Sequence, residues 1–267
     1  MSDRLRVTFL GTGTSVGIPV ITCDCDVCTS DDPRNQRLRA SIVLEWEGPD
    51  GPARVLVDTA TDFRQQALRA GIDRVDAVLY THGHADHILG LDELRIFNFV
   101  YGEAIPLYAD AATVAVLRHV FSYAFDPEAI GVPQLELETI GDQITLFGAR
   151  VEAIPVGHGR GTAQAFRLGN FAYATDCNQI SDAAAARLRG LDVLVLDSLR
   201  RKPHRSHFGL QQALEQVERL QPKTTYLTHL SHDLEHAALE EELPANVRVA
   251  FDQMVIELPL PDEWRCA

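Results

Sequence analysis

The segment THGHADH, residues 81–87, carries the densest group of metal-binding side chains in the sequence. Its ligand types are His82, His84, Asp86 and His87, with the Thr81 hydroxyl as a weaker candidate. Imidazoles and a carboxylate in so short a loop can surround two neighbouring cations. The apolar run before them, residues 75–80, predicts a buried strand, which would hold the ligands on a rigid element. A solvated, His-rich turn is the alternative.

Three further ligand types stand where later apolar runs stop. His158 follows IPVG, Asp176 follows YAT, and His229 follows YLT. A single His or Asp after a strand is common and would mean little. Four such strand ends, counting residues 81–87, form a constellation, and we predict that they meet at one metal centre.

Strand-like runs alternate with helical patterns along the chain, which predicts the α/β class. Strands are predicted over residues 5–10, 41–46, 55–57, 75–80, 151–155, 171–175, 193–196, 224–227, 248–251 and 255–258. Helices are predicted over residues 62–70, 112–123, 181–190 and 209–220, the third with Ser181 as N-cap and Gly190 as its stop. Residues 48–52 predict a hairpin loop, and the stretch after residue 123 an irregular loop.

Composition limits the classes of function. The chain has 267 residues and a net charge of −14, which argues against an extended nucleic-acid surface. An anionic substrate is compatible with this charge because bound dications set the potential at their own site. No apolar stretch reaches membrane-spanning length, and residues 1–10 lack a signal-peptide core, so we expect a cytoplasmic protein without membrane contact. We predict a single domain over residues 1–267.

Cysteines are unevenly placed, with three of the five inside six residues. They are Cys23, Cys25, Cys28, Cys177 and Cys266. The CxCxxC spacing suits a metal better than a disulfide framework, and three thiolates need one more ligand for a tetrahedral zinc. His232, three residues beyond His229, is the natural fourth ligand. We predict a structural zinc that clips the loop at about residues 17–32; free thiols are the alternative.

The motif THGHADH with His158, Asp176 and His229 downstream resembles the metallo-β-lactamase superfamily. The resemblance covers essentially the whole chain. It implies a four-layer αβ/βα sandwich, in which two mixed β-sheets pack face to face with helices outside. It also implies a first metal on His82, His84 and His158, a second on Asp86, His87 and His229, and Asp176 as the bridge between them. Asp58, after the run VLV, matches the carboxylate that holds a ligand imidazole in this family; a strand-end cap is the alternative.

A basic segment, residues 200–207 (RRKPHRSH), follows the strand predicted over residues 193–196. Arg200 and Arg205 are candidates for holding a substrate phosphate, and a solvated basic loop is the alternative. His207 could protonate a leaving oxygen, and the family resemblance implies a catalytic histidine in such a loop.

The CxCxxC motif, His232 and His207 together resemble one subfamily, the phosphoribosyl cyclic phosphate phosphodiesterases of the carbon–phosphorus lyase pathway. The stretches FLGTGTSVGIP and RLRASI are also of that type. The resemblance implies hydrolysis of small, cyclic ribose or nucleotide phosphodiesters by a water that two cations activate, with catalytic roles for His207, Asp86 and Asp176. It implies a homodimer as well. The catalytic cations would be zinc or manganese, with iron compatible, and the thiolate site would hold zinc.

Three alternatives remain open. A nuclease acting on RNA 3′ ends or short oligonucleotides would share the same core site, although the acidic charge opposes a polyanion. A non-enzymatic metal-holding or sensing module would use CxCxxC alone. Oxygen or persulfide chemistry at a single iron would not need the pair Asp86 and His87.

Overall fold

Two seven-stranded β-sheets form the centre of the computed structural model, which describes residues 4–126 and 128–264. Cys266 lies outside the described residues. The first sheet has the strand order β14-β1-β2-β3-β4-β5-β6. Its strands are β1 (Arg4–Gly11), β2 (Ser41–Gly48), β3 (Gly51–Val57), β4 (Ala77–Leu79), β5 (Ile105–Ala109), β6 (Leu135–Thr139) and β14 (Val255–Pro259).

The second sheet has the order β13-β12-β11-β10-β9-β8-β7. Its strands are β7 (Gln143–Leu146), β8 (Ala149–His158), β9 (Gly161–Leu168), β10 (Phe171–Ala174), β11 (Val193–Asp197), β12 (Thr224–Thr228) and β13 (Val247–Val249). Both sheets are mixed: β3 to β6 and β10 to β13 pair in parallel, and the other neighbours are antiparallel. The parallel strands end at a common edge, where their side chains can converge.

Seven α-helices connect these strands within the described ranges. They are α1 (Phe63–Ala70), α2 (Ala85–Ile88), α3 (Arg95–Tyr101), α4 (Ala111–Val120), α5 (Asp182–Arg187), α6 (Leu210–Leu220) and α7 (His236–Glu242). Short 3-10 turns lie at Pro33–Asn35, Leu91–Leu94, Ser122–Phe125 and Asp262–Trp264. None of these helices is long and apolar enough to cross a membrane.

The core has three apolar layers, as strand alternation requires. Val195 of β11 packs in the layer between the sheets, together with Phe9 and Phe166 from other strands. Its neighbours Leu194 and Leu196 point to the opposite face and pack beneath α5 and α6. A third layer lies between the first sheet and helices α1, α3 and α4. The predicted four-layer αβ/βα sandwich is confirmed.

The predicted strands correspond to observed ones, but several elements were not anticipated. Four strands, β5, β6, β7 and β9, and the helices α2, α3 and α7 lie in stretches left unassigned. Helix α4 ends at Val120, before the predicted residue 123, and a 3-10 turn follows it. Ser181 caps α5 as predicted, accepting a hydrogen bond from the backbone N–H of Ala184. The single-domain assignment stays a prediction.

Candidate metal centre

Four strand ends bring the predicted ligands to one edge of the sandwich. Residues 81–87 follow β4, with α2 beginning inside them, and His158 is the last residue of β8. Asp176 comes two residues after β10, and His229 directly follows β12. Each strand therefore delivers its ligand from a hydrogen-bonded sheet, as the apolar runs predicted.

Backbone conformation turns three of these side chains sharply at their strand ends. Asp58, Asp176 and His229 have positive φ angles of 63°, 53° and 59°. Left-handed backbone is uncommon for residues with a side chain, although Asp and His adopt it more often than most. Such strain is characteristic of functional sites, where the surrounding structure holds it in place.

His82, His84 and His158 form the first ligand group, with their nitrogens within 4.8 Å of one another. The Nε2 atom of His158 lies 3.2 Å from Nδ1 of His84. A tetrahedral zinc separates two nitrogen ligands by roughly 3.3 Å, so this spacing fits one shared ion. The opposite nitrogen of His158, Nδ1, donates to the Ser206 carbonyl oxygen at 2.8 Å, which leaves the Nε2 lone pair for a metal.

Asp86, His87, Asp176 and His229 form the second ligand group. His87 Nε2 lies 3.3 Å from an Asp86 oxygen and 3.2 Å from an Asp176 oxygen. His229 Nε2 lies 3.4 Å from the other Asp176 oxygen. That same Asp176 oxygen is 3.9 Å from Nε2 of His82, in the first group. Asp176 thus lies between the two groups, where the resemblance implied a bridging ligand.

Asp58 is fully buried beneath the ligands and holds two of them. One carboxylate oxygen accepts from the Thr81 backbone N–H, and the other from His87 Nδ1 at 2.7 Å and the Thr81 hydroxyl at 2.8 Å. Because the hydroxyl proton goes to Asp58, the Thr81 oxygen accepts from Nδ1 of His82. Both imidazoles are thereby fixed with Nε2 toward the ligand groups. Asp58 caps the strand end as well, so the two interpretations of this residue are compatible.

The electrostatic surroundings of the ligand histidines and their unpaired nitrogen atoms are both consistent with bound cations. Burial holds the pKa of His82 well below its usual value. Burial also opposes protonation of His229, yet Asp176 and Asp86 raise its pKa to about 9. The Nε2 atoms of His82, His87 and His229 are buried without a hydrogen-bond partner among the described residues. Buried polar atoms without partners are costly, and a cation in each ligand group would satisfy these three nitrogen atoms.

His207 lies beside both ligand groups. Its ring stacks on His229, with centroids 4.7 Å apart and planes 12° apart, and lies 4.8 Å from the His158 ring. Its Nδ1 donates to Asp197 at 2.8 Å, and Asp197 is fully buried at the end of β11. The same Asp197 oxygen accepts the Cys177 backbone N–H. Asp197 was missed from the sequence, although VLVLD repeats the pattern of an apolar run ending in a carboxylate.

The side chains of the basic segment, residues 200–207, have different partners. The Arg200 guanidinium donates to the carbonyl oxygens of Lys202 and Pro203, within its own loop. Arg201 pairs with Glu242 on α7 at 2.7 Å. Arg205 is exposed, and its carbonyl accepts from the Asn178 side chain. The phosphate-binding role of Arg200 and Arg205 stays a prediction.

A cleft of about 480 Å³ opens next to the first ligand group. It runs between the start of α4 and the turn that joins β8 to β9. Its polar lining includes Asp110, Arg160, Thr162 and Ser206. No sequence signal distinguishes these residues, because each is of a type that is common in surface loops.

The cysteine group lies in the loop between β1 and β2. The sulfurs of Cys23, Cys25 and Cys28 are 3.2, 3.6 and 3.5 Å from Nδ1 of His232. A tetrahedral zinc separates sulfur and nitrogen ligands by roughly 3.5 Å, so these residues fit a zinc ion. The backbone N–H of Cys28 helps lower the pKa of Cys25 to about 7, which favours its thiolate, whereas burial raises the pKa of Cys28 to about 11.

Comparison with known proteins agrees with this geometry. Residues 53–230, more than half of the chain, match the β-lactamase superfamily domain. The chain belongs to the metallo-β-lactamase superfamily. A crystal structure of a diphosphatase from the PhnP family is 46% identical, covers 96% of this chain and 98% of its own, and has a TM-score of 0.90. The resemblance to the cyclic phosphate phosphodiesterase subfamily is therefore well founded.

Curated relatives are more varied. An octanoyltransferase from Porphyromonas gingivalis is 35% identical over 256 residues, which is 93% of this chain but 50% of that protein. Because the chain spans about half of that protein, its name assigns no activity here. Coenzyme PQQ synthesis protein B from Methylobacterium radiotolerans is 28% identical over 227 residues, 72% of each chain. Human tRNase Z, short form, at 18% identity and a TM-score of 0.66, shares the fold alone.

The metallo-β-lactamase fold implies divalent metal ions at the edge where the ligands meet. Together with the family match and the two ligand groups, this makes the chain a metal-dependent hydrolase.

Proposed function

We propose that this hydrolase cleaves small phosphodiesters, cyclic ribose or nucleotide phosphates above all. The observation that carries the proposal is a histidine held by a buried carboxylate directly beside two candidate metal groups. An alkoxide that leaves a phosphodiester needs a proton, whereas a well-stabilised leaving group does not. His207 is the residue in position to supply it.

The proposed division of the ligands between two cations follows the family resemblance. His82, His84 and His158 would hold one cation, Asp86, His87 and His229 the other, and Asp176 would contact both. When bound, two such cations lower the pKa of a water and offset the negative charge on a phosphate. The donor set of nitrogen and oxygen atoms accepts zinc, manganese or iron.

Residues of the chain orient the imidazoles of the site and supply the proton for the departing oxygen. Asp197 accepts a hydrogen bond from Nδ1–H of His207 and so points Nε2 toward the space beside the ligand groups. Its negative charge stabilises the imidazolium, so that Nε2–H can donate to the departing oxygen. Ser206 and Asp58 fix the ligand imidazoles from behind. Proton donation from such a residue contributes about 10²–10⁴-fold to the rate.

Hydrolysis of a diphosphate bond is the second candidate. The 46% identical structure from the PhnP family, described as a diphosphatase, favours it. The leaving phosphate of such a substrate is stabilised by its own resonance and needs protonation less than an alkoxide does. The importance of His207 therefore distinguishes the two substrate classes.

The nuclease alternative has weaker support. The tRNase Z structures share the fold at low identity, and the charge of −14 repels a long polyanion. The test is a screen of purified, metal-loaded protein against 2′,3′-cyclic nucleotides, dinucleoside diphosphates and structured RNA at several salt concentrations. Turnover of cyclic nucleotides supports the proposal, and turnover of RNA alone would overturn it.

Metal identity and assembly also stay proposals. We propose two catalytic cations and one structural zinc on Cys23, Cys25, Cys28 and His232. Metal analysis of a variant in which the ligands of both catalytic groups are replaced (His82, His84, Asp86, His87 and His229) should find about one zinc per chain; none would count against the cysteine site. Homodimerisation and a cytoplasmic location remain expectations, and sedimentation velocity tests the first.

A further inference from the structure

The hairpin between β8 and β9 carries a charged residue close to the first ligand group. His158 pairs with Gly161, so Gly159 and Arg160 alone form the turn. Gly159 has a φ of 62°, and a Cβ there would lie 3.1 Å from the Cβ of Ser206. Glycine is therefore the residue that fits, and it allows a tight two-residue turn of the type that holds hairpins rigid. Arg160 is thus fixed two residues from a candidate ligand.

Arg160 lines the cleft of about 480 Å³ described above. Among the described residues that line this cleft, it is the one Lys or Arg side chain. The carboxylate on the opposite wall, Asp110, is already engaged: it accepts from the Thr113 backbone N–H at 2.7 Å and from the Gln164 side chain at 3.4 Å. The cleft thus offers one free positive charge beside the metal centre.

The guanidinium of Arg160 forms no hydrogen bond or ion pair with residues 4–126 or 128–264, in contrast to Arg200 and Arg201. Many other arginines of this acidic chain have a carboxylate partner, for example Arg39 with Asp62. An arginine presents a planar fork of donors that matches a phosphate group. Its charge remains available to a ligand in the cleft.

We propose that Arg160 determines substrate specificity by binding a second phosphate, adjacent to the one that is hydrolysed. This inference rests on the proposed hydrolysis of phosphate compounds. A substrate with two linked phosphates places one at the ligand groups and the other in the cleft. A cyclic monophosphate has no charged group to place there and gains nothing from Arg160. Arg160 therefore strengthens the binding of dinucleoside diphosphates and leaves the binding of cyclic nucleotides unchanged.

The test compares Arg160→Ala with the wild-type protein on a dinucleoside diphosphate and on 2′,3′-cyclic AMP. Losing an exposed charge-assisted hydrogen bond should raise KM for the diphosphate about 10-fold. The kcat for it should change little, because the contact is made equally in the ground and transition states. Both constants for the cyclic nucleotide should stay unchanged. Arg160→Lys should recover part of the loss. Arg189→Ala, an exposed arginine outside the cleft, is the matched control.

Direct binding gives a second readout. Calorimetry with a non-hydrolysable methylene-bridged analogue of the diphosphate should show a Kd about 10-fold higher for Arg160→Ala than for the wild type. Equal effects on the two substrates, or no effect on either KM or Kd, would overturn the inference. Failure of the wild-type protein to hydrolyse any phosphate compound would instead refute the proposed function, so the two failures are distinct.

Discussion

The two candidate metal sites differ in what holds their ligands. The ligands of the first candidate site stand at the ends of β4, β8, β10 and β12, and most of them are buried. The cysteine ligands stand in a loop that contains no strand from residue 12 to residue 40, and two of the three are only half-buried. The apolar cluster under that loop has three buried members, Ile18, Val27 and Cys28. The sheets therefore position the ligands of the first site, whereas no strand positions the three cysteines.

One residue anchors the end of the cysteine loop without any metal. Arg37 is fully buried and donates to the carbonyl oxygens of Ser231 and Leu234, which flank His232. It also contacts the Asn35 side chain. The segment that carries the fourth ligand is therefore positioned by buried hydrogen bonds, and we expect the sulfur ligands to depend more on a shared ion. Loss of the first site should abolish turnover, whereas loss of the cysteine site should mainly destabilise its loop. The following substitutions test that difference.

The largest effect is expected for Asp176→Asn. Removing the carboxylate charge between both ligand groups should weaken binding of both cations and lower turnover by several orders of magnitude. The fold should persist, because the strands β10 and β11 do not depend on the metal. Turnover, bound metal and circular dichroism measure these three outcomes. An active Asp176→Asn variant would remove the basis of the comparison.

The second-largest effect is expected for His207→Ala. We expect kcat to fall about 10²–10⁴-fold on a cyclic nucleotide, with both cations retained, because the proton donor is lost. A nitrophenyl diester serves as the control, since its leaving group hardly needs a proton and should react nearly as before. Unchanged kcat on the cyclic nucleotide would exclude the acid role.

Asp58→Asn tests the support beneath the ligands. Asn tolerates the left-handed backbone at this position, so the fold should survive. An amide cannot accept from His87 and Thr81 as the carboxylate does, and we expect metal affinity to fall about 10- to 100-fold. Competition with a chelator measures the affinity. The exposed Asp50→Asn should behave as wild type, and equal affinities in both variants would show that Asp58 is dispensable.

The smallest effect on activity is expected for Cys28→Ser. Zinc should be lost from the loop, Tm should fall by a few degrees, and a protease should cleave within residues 17–32. Turnover should change only a few-fold, because the dinuclear ligands stand on separate strands. Asp24→Ala, in the same loop but without a ligand role, is the control. If Cys28→Ser abolished turnover, the two sites would not be independent.

Sequence patterns located the site better than they located the elements around it. His158, Asp176 and His229 were found because a ligand type after an apolar run is visible locally. The run VLVLD has the same pattern and ends in Asp197. Strand β5 was missed because Pro106 interrupts it, and β6 because its residues are mostly exposed and it lacks the apolar face of a half-buried strand.

In the basic segment, the partners of the side chains could not be predicted from their charge, because the segment is a loop. Arg200 and Arg201 have the right charge for a phosphate, but a loop's own carbonyl groups and a distant helix bind them. Arg160 has the same charge but stands between two glycines, outside any basic run of the sequence. Its position depends on a hairpin between two strands, one of which, β9, was not anticipated.

The order of strands has a consequence for how the chain could be divided. Strands β1 to β6 form the first sheet with β14, and β7 to β13 form the second. Each candidate site draws ligands from both sides of the β6–β7 connection, so neither fragment of a chain cut there could complete either site alone. Fragment complementation would then be coupled to metal uptake: zinc would strengthen the association of the two pieces, and a chelator would weaken it.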